Sequence, residues 1–243
     1  MCRRLIVGDI HSRYEKLIAV LDMASYNPES DILFSVGDFC DRGDDAVKTL
    51  RFLMDQRNLR AVIGNHDIYL QDWLYTGYRD DNWVHYNGGN KTIKDFVYRN
   101  KVQENERISI ASWLRAIPLV RIEDDFIIVH GGIPGRMKMK DLLELQQLKR
   151  SQFSLMFKEE AVTWDRDYML SAYTELHPEV KDDMFFQVEP FDTDKTIFLG
   201  HTPTLDGKPF ISERYHLVAI DTGAGSKWPL TLMDIYTLKY WQA

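Results

Sequence analysis

Residues 62–67 read VIGNHD, and the fold can be worked out from this stretch outward. An apolar run ends at a glycine, and an amide, an imidazole and a carboxylate follow it directly. Neighbouring side chains of an extended chain point to opposite sides of the backbone. Asn65 and His66 are therefore expected to face opposite sides just beyond the end of a strand.

Short apolar runs of this kind recur along the 243-residue chain. Their lengths and their β-branched content favour strands over helices. The predicted strands cover residues 4–9, 31–38, 59–65, 126–132, 196–202, 216–223 and 230–238. Helical patterns separate the first three, with Ser12 and Glu15 as a capping box before one helix and Asp44 or Asp45 as the cap of the next. This β-α-β-α-β order implies parallel strands, and the closely spaced later strands indicate an antiparallel portion.

Two segments, residues 68–118 and 133–190, interrupt this rhythm. The first is rich in tryptophan and tyrosine, and the second carries mostly helical patterns. Hydrophobic residues make up 44% of the chain, which is enough for a sizeable core. We expect a single domain over residues 1–243, in which both segments are insertions that cover one end of the sheet.

Composition narrows the classes of partner. The net charge is -7 and the pI is near 5.5, so neither nucleic acid nor an anionic membrane is an expected partner. No apolar run approaches the ~18 residues of a membrane span. The two cysteines, Cys2 and Cys40, cannot form a disulfide framework and indicate a reducing compartment. We therefore expect a soluble cytoplasmic protein, whose oligomeric state the sequence does not fix.

Several predicted strands end in motifs that combine glycine with residues able to bind metals. The motifs are GDIH (8–11), GDFCDRG (37–43), GNHD (64–67), HGG (130–132) and GHT (200–202). Sites in open α/β sheets form at the carboxyl ends of the strands, so these motifs can converge. Mixed carboxylate, imidazole and amide ligands suit Mn, Fe, Zn or Ni better than Ca or a structural Zn. The candidate ligands are Asp9, His11, Asp38, Asn65, His130 and His201.

Two neighbouring divalent ions would suit a reaction at phosphorus. Such ions clamp the attacking and leaving oxygens of a displacement and make hydroxide available at neutral pH. The Asp38 carboxylate has two oxygens and could bridge them. Two divalent ions carry more positive charge than Asp9 and Asp38 carry negative charge, so the site stays positive and fits a phosphate dianion.

Other residues of the motifs supply acid–base and phosphate-binding groups. His66 would turn toward the substrate and donate a proton to the departing alkoxide as a general acid. Asp41 would hold this imidazole charged and oriented. Arg42, and Arg166 from TWDRD (163–167), would place planar guanidinium groups on the phosphate oxygens.

Together the motifs resemble the signature of the PPP-type metallophosphoesterases, which include dinuclear-metal Ser/Thr protein phosphatases and diadenosine tetraphosphate hydrolases. The match runs from Gly8 to Thr202. The resemblance implies an α/β fold, namely an α/β/β/α sandwich of two mixed sheets flanked by helices. It makes His66 the proton donor, Asp41 its partner and Arg42 a phosphate ligand. In the ligand sets that it implies, the first metal is bound by Asp9, His11 and Asp38, and the second by Asp38, Asn65, His130 and His201.

Within this family, the chain is similar to the small phage and bacterial Ser/Thr protein phosphatases of the lambda phage type. NWVHYNGG (82–89), VTWDRD (162–167) and AIDTGA (219–224) carry the similarity. VTWDRD resembles a W-N-R segment that supplies a phosphate-binding arginine, here Arg166. Two positions depart from the family pattern: Ser12 stands where glycine is usual, and Asp165 stands where W-N-R has asparagine.

We predict a metal-dependent phosphomonoesterase, a Ser/Thr protein phosphatase in which a hydroxide bridging two metal ions attacks phosphorus. The sequence leaves open whether it also cleaves phosphotyrosine. The alternative is a diadenosine tetraphosphate hydrolase or another small-molecule phosphoesterase. The D-R-G of residues 41–43 weighs against that alternative, because the hydrolases resemble A-R-G there. The aromatic residues of 73–86 weigh for it, because adenine stacks on aromatic rings.

A catalytically inactive binding module is a further alternative, which the retention of every ligand position disfavours. The expected cofactors are two divalent metal ions, with Mn first and Fe, Zn or Ni as alternatives. The expected partner is a phosphoprotein or a small phosphoester substrate.

Overall fold

Two mixed β-sheets form the framework of the computed structural model, which describes residues 2–148, 157–180 and 186–243, without the side chains of 157–160. The strands of the described residues are β1 Arg4–Val7, β2 Ile32–Ser35, β3 Leu59–Ala61, β4 Val120–Ile122, β5 Phe126–Val129, β6 Thr196–Leu199, β7 Phe210–Ser212, β8 Leu217–Ala219, β9 Thr231–Asp234 and β10 Tyr240–Gln242. Every strand predicted from the sequence is present, each shorter than its apolar run, whereas β4, β7 and β10 had no counterpart in the prediction.

The first sheet has the strand order β10-β9-β1-β2-β3. In it, β1 pairs parallel with β2 and antiparallel with β9. The second sheet has the order β4-β5-β6-β8-β7, with antiparallel pairs at both edges and parallel pairs between them. The predicted α/β/β/α sandwich of two mixed sheets is confirmed, and so is the antiparallel portion of the second half.

Successive side chains of a strand point to opposite faces of the sheet, and here both faces are buried, which explains why the strand sequences are apolar without interruption. Ile6 of β1 and Phe34 of β2 point into a layer shared by the two sheets. There Phe34 packs edge-on against Phe126 of β5, with 5.2 Å between ring centroids. Their neighbours Leu5 and Leu33 point the other way, into the core that also contains the helix residues. A strand that is buried on both faces reads as a continuous apolar run.

Helices cover the outer faces of the sheets. Those of the described residues are α1 Tyr14–Met23, α2 Ala46–Met54, α3 Asn65–Thr76, α4 Asp81–Tyr86, α5 Gly89–Lys94, a π-helix Asp95–Arg99, α6 Glu104–Ala116, α7 Met139–Gln147, α8 Phe157–Trp164 and α9 Asp167–Leu176. None of them, in the described part of the chain, has both the length and the apolar character that a membrane crossing requires.

The predicted capping box at the start of α1 is wrong. Arg13 occupies the N-cap position, and no side chain bonds to the first turn. Ser12 has a left-handed φ of +57°, and its buried Oγ has no hydrogen-bond partner. An N-cap residue needs an extended backbone to turn its side chain onto the helix, and Ser12 does not have one.

The start of α2 is capped from a distance. Asp45 lies at the predicted N-cap position, but its side chain makes no capping bond. The backbone amide of Val47 instead donates to Asp95 Oδ2 at 2.9 Å. The π-helix that carries Asp95 therefore fixes the helix that follows the GDFCDRG motif.

Both interrupting segments reach the carboxyl ends of the strands. Residues 68–118 run from within α3 to the end of α6, and residues 133–190 contain α7, α8 and α9. Trp83 of the first segment bonds to Asp41, and Arg166 of the second bonds to the backbone of His201. Their description as insertions in a single domain over residues 1–243 stays a prediction.

Candidate active site

Loops from both sheets meet at one buried site. Asp9 follows β1 in the first sheet, and His201 follows β6 in the second; the His201 amide donates to Asp9 Oδ2 at 3.0 Å. His130, directly after β5, holds its Nε2 3.3 Å from Oδ1 of Asp38, which lies beyond β2. The predicted metal ligands are all buried here: Asp9, His11, Asp38, Asn65, His130 and His201.

The backbone that carries Asn65 and His66 is helical, so the expectation of an extended chain there is wrong. These residues open α3 directly after Gly64. Successive helical side chains differ by about 100° in direction, which still sends the two to different partners. Asn65 Oδ1 lies 3.0 Å from His130 Nε2, whereas His66 Nδ1 lies 2.7 Å from Asp41 Oδ2.

The histidines present the right atoms to a metal ion. His11 Nδ1 donates to the Cys40 carbonyl at 3.0 Å, and His130 Nδ1 donates to the Val36 carbonyl at 2.7 Å. A carbonyl can only accept, so Nδ1 of each ring carries a proton, and Nε2, which faces the site, is the nitrogen that can bind a metal ion. Metal-binding histidines are typically oriented by this kind of bond.

The carboxylate arrangement also fits divalent ions. Potential ligand atoms form two groups, and within each group the atoms all lie within 4.8 Å of one another. One group belongs to His11, Asp38 and His66, and the other to Asp38, His130 and His201. Asp38 belongs to both, as a bridging ligand must. Asp9 Oδ1 and His201 Nε2 are buried without a hydrogen-bond partner among the described residues. A cation bound beside them would satisfy atoms that are otherwise costly to bury.

Two glycines let the carboxylates lie against the backbone. A Cβ at Gly64 would be 2.1 Å from Asp38 Oδ1, and one at Gly200 would be 2.2 Å from Asp9 Oδ1. Both distances are far inside van der Waals contact, so a side chain would push the carboxylate out of place. The glycines of GNHD and GHT are thus part of the geometry of the site.

Burial and mutual charge set the protonation of the ligands. Burial lowers the pKa of His11 and of His201 well below the usual imidazole range, which keeps both neutral. Burial also lowers the pKa of His130, but Asp38 outweighs it and raises the value to about 9. Burial opposes the charge of Asp38, yet His130 and His66 hold its pKa well below the usual range. The His130–Asp38 pair therefore carries a proton that a bound cation would replace.

Asp41 fixes the orientation of His66. Asp41 is fully buried, and its Oδ2 accepts from His66 Nδ1 at 2.7 Å and from Trp83 Nε1 at 2.6 Å. Its Oδ1 accepts from Thr92 Oγ1 at 2.6 Å. Arg42 Nη2 lies 3.2 Å from His66 Nε2. Arginine can only donate, so Nε2 accepts the bond from Arg42 here. Nε2 is also the atom that can deliver a proton to a substrate, once it has taken one up and no longer accepts from Arg42.

Two guanidinium groups border the same cleft. Arg42 reaches His66, and Arg166 Nη1 lies 3.3 Å from Thr202 Oγ1 and 3.4 Å from the His201 carbonyl. Burial lowers the pKa of Arg166, and the charge of Arg42 lowers it further, so the two groups are close enough to repel. Neighbouring guanidinium groups attract a multiply charged anion such as a phosphate.

The sequence reasoning missed two parts of the site. Asp221, two residues beyond β8, is 1% exposed and has an unpartnered Oδ2. The rule that found the candidate ligands, a polar residue just past a buried strand, would have found it. Trp83 and Thr92 hold Asp41 across 42 and 51 residues of sequence, and no local pattern signals such a contact.

The backbone of the site is strained. Positive φ values between +48° and +71° occur at His11, Asp38, Asp41, Arg42 and His201. Each such conformation costs on the order of 1–3 kcal/mol for a residue with a side chain. Conformations of this cost persist only where the surrounding structure enforces them, as the buried hydrogen bonds do here.

Fold and site together define a metal-dependent phosphoesterase. A family model described as calcineurin-like phosphoesterase matches residues 2–236. The chain belongs to the calcineurin-like phosphoesterase family.

The proteins that the chain resembles are named for different phosphoester substrates. A symmetrical bis(5'-nucleosyl)-tetraphosphatase of Coxiella burnetii is 25% identical, with 96% of this chain and 88% of the relative covered. A solved structure provisionally described as a diadenosine tetraphosphatase has a TM-score of 0.62 at 16% identity, covering 100% of this chain and 93% of that one. A cold-active protein-tyrosine phosphatase of Shewanella has a TM-score of 0.61 at 17% identity, covering 100% and 80%. The structural likenesses concern the fold alone, and the finer resemblance to lambda phage-type phosphatases is not confirmed.

Proposed function

We propose that the chain is a metal-dependent hydrolase that splits dinucleoside tetraphosphates symmetrically, into two nucleoside diphosphates. The observation that carries the hydrolase chemistry is the convergence of ligands from both sheets around Asp38. The substrate class is supported by the Coxiella burnetii relative, which is similar over 96% of the chain. The sequence-based prediction put a protein phosphatase first, and the similarity to the Coxiella burnetii relative favours its alternative.

Different residues of the candidate site would bind the metal ions and the phosphate groups of the substrate. When bound, two divalent ions would supply Lewis acidity and a hydroxide nucleophile at neutral pH. Arg42 and Arg166 would bind non-bridging phosphate oxygens through their planar donor forks. One ion would be held by Asp9, His11 and Asp38 and the other by Asp38, Asn65, His130 and His201, with Mn the first choice and Fe, Zn or Ni the alternatives.

An aromatic side chain beside the ligands supports a nucleotide substrate. Trp164 is 36% exposed, and its ring lies edge-on to His201 at 5.5 Å between centroids. An exposed indole face next to a phosphate site can stack a nucleobase. Trp73 and Trp83, in the segment that the sequence had suggested for this role, are at most 5% exposed and serve the core instead.

A specific observation favours protein phosphoserine or phosphothreonine as a second candidate substrate. The Asp41–His66 pair is built to deliver a proton, and an alkoxide leaving group needs one. A nucleoside diphosphate leaving group carries a terminal phosphate with a pKa of about 6, so it can depart unprotonated. The pair is therefore more useful to a phosphomonoesterase than to a hydrolase of phosphoanhydrides.

The test compares kcat/KM on diadenosine tetraphosphate, a phosphoserine peptide and a bis-aryl phosphodiester, with protein loaded in turn with Mn, Fe, Zn and Ni. The expected result is the largest kcat/KM on the tetraphosphate, with ADP as the only nucleotide product. A larger kcat/KM on the peptide, or ATP and AMP as products, would contradict the proposal.

Two carboxylate variants serve as controls for this assay. Asp38→Asn should be inactive on all substrates, because Asp38 belongs to both ligand groups. Asp31 is also buried, but it precedes β2 whereas Asp38 follows it, and its partner is Arg3. Asp31→Asn should therefore keep the substrate preference of the wild type.

A further inference from the structure

Asp221 is a buried carboxylate that the proposed chemistry does not yet use. It follows β8, where the Ile220 amide still pairs with the Leu199 carbonyl of β6 at 2.9 Å. The Asp221 carbonyl accepts from the Thr204 amide at 2.9 Å, and its Oδ1 accepts from the Gly223 amide at 2.9 Å. These bonds fix the backbone and the side-chain rotamer of Asp221.

The other carboxylate oxygen is left without a partner. Oδ2 of Asp221 is buried and accepts no hydrogen bond from any described residue. Burying an ionised carboxylate without full pairing is expensive. A purely structural aspartate would have both oxygens bonded, as Asp31 has through Arg3 and the Asn27 amide.

The residue that carries this oxygen lies beside a candidate metal ligand. A Cβ at Gly8 would lie 2.2 Å from the Ile220 carbonyl, so the chain before Asp221 lies against the residue before Asp9. The same Cβ would lie 3.7 Å from the Asp221 amide nitrogen, so Asp221 itself adjoins the backbone beside Asp9. Burial raises the pKa of Asp221 to about 6, and the bond from the Gly223 amide and the charge of Arg42 oppose that rise.

We propose that Asp221 is a positioning residue of the metal centre, whose carboxylate strengthens the binding of the divalent cation held at Asp9. This inference rests on the proposed function, because it requires that the chain binds divalent metal. It assigns a third carboxylate to the centre, beyond the ligand set that the motifs define. Burying this oxygen without a partner destabilises the folded protein. A bound cation would offset that cost through its attraction to the carboxylate.

The test measures Mn²⁺ binding to metal-stripped protein by calorimetry, with wild type, Asp221→Asn and Asp31→Asn. Asparagine keeps the Oδ1 acceptor for Gly223 and removes the charge. Loss of a group that supports a metal centre typically weakens metal affinity about 10–100-fold, and we expect this loss in Asp221→Asn at one Mn²⁺ site. Asp31→Asn also removes a buried carboxylate, and it should bind Mn²⁺ as the wild type does.

A second readout separates a metal role from a structural one. Without metal, Asp221→Asn should be at least as stable to denaturant as wild type, because it removes a charge that repels Asp9. Asp31→Asn should be less stable, because it breaks the pair with Arg3. Wild-type Mn²⁺ affinity in Asp221→Asn, or failure of its stripped form to fold, would overturn the inference. If wild type itself binds no divalent metal, the proposed function fails instead.

Discussion

Replacing His66 with asparagine is expected to separate substrates by their leaving groups. Without a proton donor an alkyl phosphate must expel a bare alkoxide, and kcat should fall by roughly 10²–10⁴. Aryl phosphates and dinucleoside tetraphosphates release stabler anions, so their kcat should change much less. The prediction follows from His66 Nε2, which lies 3.2 Å from Nη2 of Arg42, the candidate phosphate-binding residue.

Asp41→Asn gives a smaller loss that can be worked out from its hydrogen bonds. An asparagine can keep Oδ1 toward His66 and Trp83 and turn its Nδ2 toward Thr92, whose hydroxyl can accept as well as donate. The variant thus keeps the geometry and loses the charge. Hydrogen bonds to charged groups contribute about 1.5–3 kcal/mol, so kcat on alkyl phosphates should fall about 10–150-fold.

The assay follows initial rates on phosphoserine peptide, p-nitrophenyl phosphate and diadenosine tetraphosphate at saturating Mn²⁺. His85→Asn is the matched control, because His85 is exposed and lies outside the site. Equal losses on all three substrates would refute proton donation by His66. A larger loss in Asp41→Asn than in His66→Asn would refute the account of Asp41 as its support.

Three further predictions concern stability. Ser12→Gly should raise the free energy of unfolding by about 0.5–1 kcal/mol, because glycine adopts the left-handed φ of +57° without strain; a lower denaturation midpoint would contradict this. Burial raises the pKa of Asp165 to about 6, so the stability that its protonated form contributes is lost as pH rises from about 4 through 6. The free energy of unfolding of Asp165→Asn, taken relative to wild type, should therefore be about 1–3 kcal/mol higher at pH 8 than at pH 4. A difference in melting temperature between variant and wild type that is the same at both pH values would count against this. Chelation should lower the Tm by about 5–10 °C from its value at a metal concentration near 100 Kd, since binding there contributes about 2.7 kcal/mol; an unchanged Tm would argue against metal binding.

The fold could be predicted where strands are buried on both faces. The interior strands β1, β2, β5, β6, β8 and β9 were found because both of their faces are mostly apolar and buried. The strands that were missed, β4, β7 and β10, all lie at sheet edges. The edge strands β7 and β10 expose part of their surface, as Ile211 at 44% and Tyr240 at 41% show, so their sequences lack an apolar run. The edge strand β3 was found because the buried residues Val62 and Ile63 extend its apolar run.

The site could be predicted where its residues follow strands directly. The candidate ligands and His66 met that condition, and their convergence needed only the rule for parallel strand ends. Backbone conformation could not be read in the same way. The helix that begins at Asn65 and the left-handed turn at Ser12 depend on tertiary contacts such as the close approach of Gly64 to Asp38.

The division of the ligands between two sheets has a consequence for the life of the protein in a cell. Asp9 and Asp38 follow strands of one sheet, and His130 and His201 follow strands of the other. Ions bound between them would therefore cross-link the two sheets of the sandwich. Scarcity of the metal would then loosen the scaffold as well as stop turnover. Molecules made during such scarcity would be degraded sooner, and protein abundance would follow the mineral supply of the organism.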